Sequence, residues 1–422
     1  MRKIREMIKN GITGSFILML IFLGMEAFSA PFIRLDSVDL ANVRQMIHDE
    51  TASEHTLLAY KKLLWNADQL ISMKNPTVID KSIYPPTQNK HDYLSISRYW
   101  WPNPKTSDGL PWMRKDGETN PETQTDAVDR KRLSAMSNGV KTLSLAYYFS
   151  GDERYAEKAT SMIKTWFLDE KTRMNPHLKF AQSIPGHPKG RPFGILDGRS
   201  IVLVIPDAMN LLSNSPHWTS DDNSELTKWL KEYLTWLTES DLGREGSEFD
   251  NNHGSWYKFQ VAALALYLGN KPLVRKMVTL AQQSLDFQLN DQGGQIHEIE
   301  RTRSFFYSCF NLDALTSIAF IADKVGMDMW HYKSENGKSL LLAVNYLTPV
   351  ISGKAWPHPS KQEPDLSYLL PVLARMSSNM ESNELENYKK QTISILIEKE
   401  KIAGSKNKVL QELSLIYSHF TY

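Results

Sequence analysis

From Thr125 onward, apolar residues recur at the spacing of an α-helix through most of the chain, with short polar breaks between the segments. This period of about 3.6 residues constrains the fold because it places apolar side chains along one face of each helix. Few segments show the two-residue alternation of strands. The spacing predicts helices over residues 126–149, 153–169, 223–239, 256–268, 305–325, 338–350, 366–376, 384–401 and 408–420, a further helix that starts at Pro272, and one or two helices within 40–73.

Two helix ends in this region resemble each other. Residues 145–152 have the sequence LAYYFSGD, and residues 264–270 have the sequence LALYLGN. In each, an apolar helix ends at a glycine and an amphipathic helix follows. Recurring helix pairs with few strands predict an all-α protein, an α/α barrel (toroid) of helical hairpins in a single large domain. An ordinary helical bundle is the alternative, although one of this length would be unusual.

The composition excludes several classes of protein. Of the 422 residues, 41% are hydrophobic and 23% are charged, as is ordinary for a globular protein. The net charge of +1 lacks the basic excess of a nucleic-acid-binding protein, so any attraction for an acidic substrate must be local. The only cysteine, Cys309, rules out an internal disulfide. Paired cysteines and a His-x-x-x-His motif are both missing from the sequence, so we expect no metal or other cofactor, although a structural ion stays open.

The N-terminus predicts export. A basic start precedes the apolar run at 16–23, and its charged residues are Arg2, Lys3, Arg5 and Lys9. Residues 27–30 then offer small side chains of the kind that a signal peptidase needs. The run is shorter than the roughly 20 apolar residues of a membrane span. We therefore expect a signal peptide at 1–30 and a mature domain at 31–422, periplasmic or secreted and free of the membrane; an uncleaved anchor is the alternative.

Residues 74–122 differ from the helical part of the chain. They are rich in Pro, Asn, Asp and Gly and show no sustained period. A loop of this length inside a compact protein is usually functional or disordered. Its aromatic content argues against disorder, the residues being Tyr93, Tyr99, Trp100, Trp101 and Trp112. We expect this loop to lie over a cleft.

Two short motifs hold the residue types needed to remove a proton next to a carboxylate. Asn252 and His253 lie where a loop enters a helix, and Arg301, Arg303 and Tyr307 follow later in the chain. Amide and guanidinium groups can neutralise a carboxylate and stabilise the enolate-like transition state, and imidazole and phenol can move protons. Since a tyrosine has a pKa of about 10, it needs a neighbouring cation to act as a base near neutrality.

Each motif also has a plain structural explanation. Asn-Asn-His occurs by chance and often caps a helix. The two arginines could form surface ion pairs with Glu298 and Glu300, and Tyr307 could be a half-buried ring on its helix. The conjunction of the motifs, in an exported helical protein with an aromatic loop, favours the chemical interpretation.

The sequence resembles the alginate lyase superfamily, most closely polysaccharide lyase family 38 and more distantly family 5. The resemblance covers most of residues 93–332, and the matching runs are Asn251-Asn252-His253 with Trp256, Glu300-Arg301-Thr302-Arg303 with Tyr307, residues 147–152, 180–182 and 194–199. It implies an α/α barrel in which Asn252 and an arginine neutralise the substrate carboxylate while His253 and Tyr307 move protons.

Which arginine acts stays open, because the spacing from the first arginine to the tyrosine departs from family 5 by about one residue. Arg301 matches by its place after Glu300. Arg303 lies four residues before Tyr307 and would share a helical face with it. We therefore keep both as candidates.

The stereochemistry of the substrate suggests a division of labour. In mannuronate or glucuronate the C5 proton and O4 lie on one face of the ring, so Tyr307 could be both base and acid. In guluronate they lie on opposite faces, so His253 would be the base and Tyr307 the acid. Further candidates for substrate binding, through ring stacking or hydrogen bonds, are Tyr99, Trp100, Trp101, Asn138, Gln182, Arg199 and His358.

The sequence thus predicts a polysaccharide lyase that cleaves a uronic-acid polymer, alginate above all, by β-elimination. A glucuronan lyase is one alternative. A glycoside hydrolase on the same fold is another, and would need two carboxylates facing a cleft, for which Asp250, Glu298 and Glu300 are available. A carbohydrate-binding protein without turnover is the alternative outside enzymes. The expected partner is an anionic polysaccharide and not a nucleic acid; the oligomeric state is open.

Overall fold

Helices dominate the computed structural model, which describes residues 30–187, 189–403 and 407–420. Residues Pro31–Tyr422 form one compact unit. The all-α prediction is confirmed. The expected signal peptide lies outside the described residues, apart from Ala30 at its end, and therefore stays a prediction.

The helices follow one another through the chain. They are α1 (Ser37–His48), α2 (Glu54–Ile71), α3 (Arg130–Ser150), α4 (Glu153–Ile163), α5 (Arg199–Val202), α6 (Ile205–Leu212), α7 (Ser220–Glu239), α8 (Asp241–Ser247), α9 (Asn252–Tyr267), α10 (Lys271–Gln288), α11 (Ile296–Ile299), α12 (Ser304–Asp323), α13 (Leu340–Leu347), α14 (Leu370–Asn379), α15 (Asn383–Ala403) and α16 (Lys408–Ile416). Short 3₁₀ segments lie at Val78–Asp80, Pro121–Gln124, Pro192–Gly198, Thr348–Val350 and Leu366–Tyr368, and a π-helical turn, Lys164–Leu168, follows α4. The connections after α3 are not all short, since long segments precede α5, α13 and α14.

The helices pack into a closed circuit. Helix α3 contacts α5, α5 contacts α9, and α9 packs along α12; α12 then contacts α14, α14 contacts α16, α16 contacts α2, and α2 returns to α3. Helices α9 and α12 are buried on almost every face, as expected for inner helices that are apolar all round. The circuit confirms the α/α barrel.

The two similar helix ends form equivalent hairpins. Gly151 ends α3 with φ +71°, and Gly269 follows α9 with φ +75°. Both lie in the left-handed region, which glycine reaches without the penalty of a Cβ atom. In each case an amphipathic helix, α4 or α10, begins within three residues and packs back on its partner.

Strands are short and confined to loops within the described part of the chain. β1 (Leu94–Ile96) pairs in parallel with β4 (Phe180–Ser183), and β2 (Trp100–Trp101) pairs antiparallel with β3 (Met113–Arg114). Three of the four strands belong to the 74–122 loop. Pairing with β4 ties this loop to the segment that precedes α5.

Several helix boundaries differ from the prediction for local reasons. Helix α3 starts at Arg130 and not near residue 126, because the backbone of Asp129 bonds to Leu94 and its buried carboxylate lies 2.9 Å from the Lys81 ammonium. Helix α7 starts at Ser220, three residues before the predicted start, because Thr219 and Asp222 form a capping box there.

Two further boundaries shift. Helix α9 starts four residues earlier than predicted, since the Asn251 side chain accepts a hydrogen bond from the His253 backbone and caps it. At the other end of the chain, α16 ends at Ile416, four residues before the predicted end.

One described helix, α12, is long and apolar enough to cross a membrane by composition alone. Most of it is buried against the rest of the protein, and the inner helix of a folded domain passes the same test.

The N-terminal segment is held to the barrel by a buried carboxylate. Asp207 in α6 accepts hydrogen bonds from the backbone N–H groups of Ile33, Arg34 and Leu35, at 2.5 to 3.2 Å. Arg34 in turn pairs with Asp313 of α12 at 3.1 Å. We expect Asp207→Ala to lower the free energy of unfolding by about 1–3 kcal/mol, because it leaves buried donors without an acceptor. Urea denaturation measures this.

The control is Glu170→Ala, which removes an exposed carboxylate and should change stability by less than about 0.5 kcal/mol. Equal stability of the two variants would contradict the role of Asp207.

Candidate active site

A cleft of about 1000 Å³ opens inside the barrel. The 74–122 loop, the turn before α5 and the first turns of α9 and α12 line it. Its walls include Arg98, Tyr99, Trp100, Arg114, Asp116, Arg130, Lys131, Gln182, Arg191, Phe193, Asp197, Arg199, Asn252, His253, His297, Glu300, Arg301, Phe306, Tyr307 and Phe310. Both sequence motifs therefore meet in one cavity.

His253 lies in the first turn of α9 between two aromatic rings. Its ring centroid lies 4.9 Å from that of Phe193 and 5.8 Å from that of Phe249. Burial, together with the positive charges of Arg301 and Arg191, lowers the pKa of His253 to about 3. The imidazole is therefore neutral near pH 7 and can accept a proton.

Tyr307 lies in the first turn of α12 with 8% of its surface exposed. Its hydroxyl donates a hydrogen bond to the Tyr99 hydroxyl at 2.9 Å. The Arg301 guanidinium lies over the phenol ring, 3.9 Å from its centroid. Burial raises the pKa of Tyr307 above its ordinary value, although Arg301 acts in the opposite direction. The phenol is therefore protonated and ready to donate.

Arg301 is held in place from the long loop. Its guanidinium pairs with Asp116 at 2.9 Å, and the Thr302 hydroxyl donates to the same carboxylate at 3.0 Å. Burial opposes ionisation of Asp116, but the hydrogen bond and charge of Arg301 outweigh it and lower the pKa of this carboxyl to about 2. Gly117 follows with φ +73°, and a Cβ atom there would come within 2.4 Å of the Thr302 hydroxyl oxygen. The 74–122 loop thus packs tightly onto the motif that contains Arg301 and Thr302.

Asn252 is fully buried and is bound to Glu298. Its backbone N–H donates to Glu298 Oε1 at 2.7 Å, and its side-chain nitrogen lies 3.0 and 2.8 Å from the two carboxylate oxygens. In the described part of the chain, its side-chain oxygen has no hydrogen-bond partner.

The cleft is positively charged although the chain as a whole is almost neutral. Seven of the residues that line it are cationic, namely Arg98, Arg114, Arg130, Lys131, Arg191, Arg199 and Arg301, whereas Asp116, Asp197 and Glu300 are the acids. The Asp197 carboxylate already has partners within the protein. It pairs with Arg130 at 3.0 Å and accepts hydrogen bonds from Tyr93, Ser95 and Gln182. The excess of cations in the cleft can attract an acidic substrate locally, although the net charge of the whole chain is close to zero.

Arg191 and Arg199 are among the cleft arginines that form no ion pair with any described residue. Arg191 donates to the Gln182 carbonyl at 3.0 Å and lies over the rings of Trp100 and Phe193. Arg199 lies 5.0 Å from the Phe310 ring centroid. Burial lowers the pKa of each to about 10, so both remain charged near neutrality. Each is free to bind a carboxylate.

Eight of the predicted site residues line the cleft: Asn252, His253, Arg301, Tyr307, Tyr99, Trp100, Gln182 and Arg199. The remaining four lie elsewhere. Trp101 donates to the Glu118 carbonyl under Lys115, and Asn138 lines a second cavity of about 450 Å³. His358 hydrogen-bonds to the Tyr346 hydroxyl at 2.5 Å.

Arg303 is the fourth predicted residue outside the cleft lining. Its guanidinium stacks on the Phe306 ring at 4.4 Å. Because α12 begins at Ser304, Arg303 precedes the helix and does not share a face with Tyr307. The geometry therefore favours Arg301 over Arg303 at the substrate carboxylate.

Sequence reasoning missed several cleft residues, among them Arg98, Arg114, Asp116, Arg130 and Arg191. The first three belong to the aromatic loop, where charged residues among the tryptophans could have been chosen as candidates. Arg130 and Arg191 carry no local motif. Only the fold brings them to the cleft.

The arrangement does not fit a glycoside hydrolase. Of the three acids considered for that reaction, only Glu300 lines the cleft; Asp250 and Glu298 do not. The other two cleft carboxylates, Asp116 and Asp197, are held in ion pairs. Across residues 30–187, 189–403 and 407–420, no group of three His, Cys, Asp or Glu side chains could hold a metal ion.

Comparisons with known proteins agree with this architecture. Residues 77–356 match the model of the alginate lyase family. An alginate lyase from Bacteroides ovatus is 35% identical, with a TM-score of 0.82, over 92% of this chain and 100% of that one. Alginate lyase A1-III from Sphingomonas species A1 is 18% identical with a TM-score of 0.52, over 86% of this chain and 93% of that one, and shares the fold. No curated protein matches.

The helical toroid and these matches define a polysaccharide lyase. The chain belongs to the alginate lyase family. Its assignment to polysaccharide lyase family 38 stays a prediction.

The environment of His253 predicts an unusual pH dependence. A base acts when it is neutral, so a pKa lowered to about 3 extends the active range toward acid. We expect kcat/KM, which reports the pKa values of the free enzyme, to show no loss from His253 between pH 7 and pH 5. A steady-state pH profile measures this. An acid limb near the ordinary histidine pKa of about 6.5 that vanishes in His253→Asn would contradict it.

Proposed function

We propose that this protein cleaves alginate by β-elimination, with the acid–base pair and the carboxylate site in the cleft described above. One observation carries the proposal: a neutral imidazole, a protonated phenol and a fixed guanidinium line the same cavity. The family supplies the substrate class, and one of its members, alginate lyase A1-III, is known in complex with a tetrasaccharide. A cleft with seven cations suits a polymer that carries one carboxylate per sugar.

The roles follow from the protonation states. Arg301 and Asn252 neutralise the carboxylate of the sugar whose C5 proton is removed, which stabilises the enolate-like transition state. For guluronate, the neutral His253 takes the C5 proton and the protonated Tyr307 gives its proton to O4, so no preparatory proton transfer is needed. For mannuronate or glucuronate, Tyr307 must lose its proton before it can act as the base.

The long loop completes this arrangement. Tyr99 holds the Tyr307 hydroxyl, and Asp116 holds Arg301 until a substrate carboxylate competes for it. Arg191 and Arg199 bind carboxylates of neighbouring sugars, because neither forms an ion pair with an acid in the described part of the chain. Trp100 presents an aromatic ring to the sugar chain.

We propose that the protein acts outside the cytoplasm, since the basic and apolar start of the chain has the pattern of a signal peptide. N-terminal sequencing of the protein recovered from the periplasm or medium of expressing cells tests this. A mature chain that still begins at Met1 would contradict it.

The reaction is tested by ultraviolet absorbance on a panel of polyguluronate, polymannuronate and glucuronan. Elimination leaves a conjugated double bond that absorbs, whereas hydrolysis does not. We expect absorbance to rise with at least one alginate polymer, and Tyr307→Phe to lower kcat by at least about 100-fold, the usual contribution of a general acid. Full activity of Tyr307→Phe would exclude the mechanism, and new reducing ends without absorbance would identify a hydrolase.

The unpaired arginines are tested by Arg191→Ala and Arg199→Ala. A charge-assisted hydrogen bond contributes about 1.5–3 kcal/mol, so each variant should raise KM by about 10- to 100-fold with kcat changed little. Arg275→Ala, which removes an exposed guanidinium on α10, is the matched control and should leave KM unchanged. If the cleft variants behave like the control, these residues do not bind substrate.

A further inference from the structure

The contact between Asn252 and Glu298 conflicts with a donor role for Asn252. The Glu298 side chain is 1% exposed, and the Asn252 side-chain nitrogen is directed at its two oxygens. Glu298 does not line the cleft, whereas Asn252 does. The oxygen is therefore the amide atom left for the substrate, and an amide oxygen repels a carboxylate. This oxygen is also buried without a hydrogen-bond partner among the described residues.

Suppose that Glu298 carries a proton and that the Asn252 amide is rotated by half a turn. The amide oxygen then no longer faces the substrate carboxylate, and it gains a hydrogen-bond partner. The half-turn exchanges the amide oxygen and nitrogen, which have similar shapes, so the 2.8 Å contact with Glu298 Oε2 is kept. Oε2–H then donates to Asn252 Oδ1, and the Asn252 backbone N–H still donates to Oε1 at 2.7 Å. The amide NH₂ group becomes free to donate toward the cleft.

We propose that Glu298 is a positioning residue that is protonated in the active enzyme and holds the Asn252 amide with its NH₂ group toward the substrate carboxylate. This inference rests on the proposed function, in which Asn252 neutralises that carboxylate. Glu298 does not touch the substrate. It acts through Asn252 by accepting one backbone hydrogen bond and donating one to the side chain.

The surroundings of Glu298 are consistent with a bound proton. Burial raises the pKa of this carboxyl, while its hydrogen bonds from Asn252 and the charges of Arg301 and His297 act in the opposite direction. No described cation forms an ion pair with it, in contrast to Asp116, which Arg301 holds at 2.9 Å. A neutral acid in this place needs no ion-pair partner.

The test compares Glu298→Gln with Glu298→Met. Glutamine keeps an oxygen that accepts the Asn252 backbone N–H and an NH₂ group that donates to Asn252 Oδ1, so it reproduces the protonated acid permanently. We expect kcat of Glu298→Gln within about threefold of wild type. Methionine keeps the volume but neither hydrogen bond, and should lower kcat by about 100-fold or more, as loss of a transition-state donor does.

Three measurements complete the test. Thermal unfolding checks that Glu298→Gln is folded. Infrared spectroscopy should show a protonated carboxylic acid band in the wild type that is missing from Glu298→Gln. The losses in Glu298→Met and Asn252→Ala should not add in the double variant, because the two residues act as a unit.

A folded Glu298→Gln as inactive as Glu298→Met, no protonated acid band in the wild type, or additive losses would each overturn the inference. Failure of the proposed function is seen separately, since wild-type protein would then yield no unsaturated product from any uronate polymer.

Discussion

The contact between helices α9 and α12 is the constraint on which the rest of this protein depends. Both helices are apolar on nearly every face, so each must be surrounded by other helices, and the barrel is the arrangement that buries them. Their first turns carry the two chemical motifs. Because the helices pack along each other, the turn with His253 and the turn with Tyr307 reach one cavity although 53 residues separate them in the chain.

Burial by this packing also sets the chemistry of the site. It removes water from the imidazole and the phenol, which keeps the first neutral and the second protonated, in the forms suited to a base and an acid. The same burial would make an isolated cation costly, so Arg301 is paired with Asp116. Arg191 and Arg199 have no paired carboxylate among the residues that the structure describes, and aromatic rings lie beside them instead. The cleft therefore has guanidinium groups that can bind the carboxylates of an anionic chain.

Much of the fold and part of the site could be predicted from local pattern. Helix periodicity and the glycines at positions 151 and 269 identified the hairpins, because both depend on neighbouring residues only. Helix starts were less predictable. Helix α3 begins after Asp129 because that residue is bound to Lys81 and β1, and such partners are distant in the chain.

The sequence by itself determined the helical class of the protein and singled out His253 and Tyr307 as candidates for the base and the acid, since periodicity and short motifs are local properties. Only the tertiary structure decided that Arg301 and not Arg303 faces the cleft, because this depends on where α12 begins. It also decided that the loop residues Arg98, Arg114 and Asp116, and the distant Arg130 and Arg191, line the cleft. Those positions follow from how the barrel closes, and closure is a property of many helices packing together.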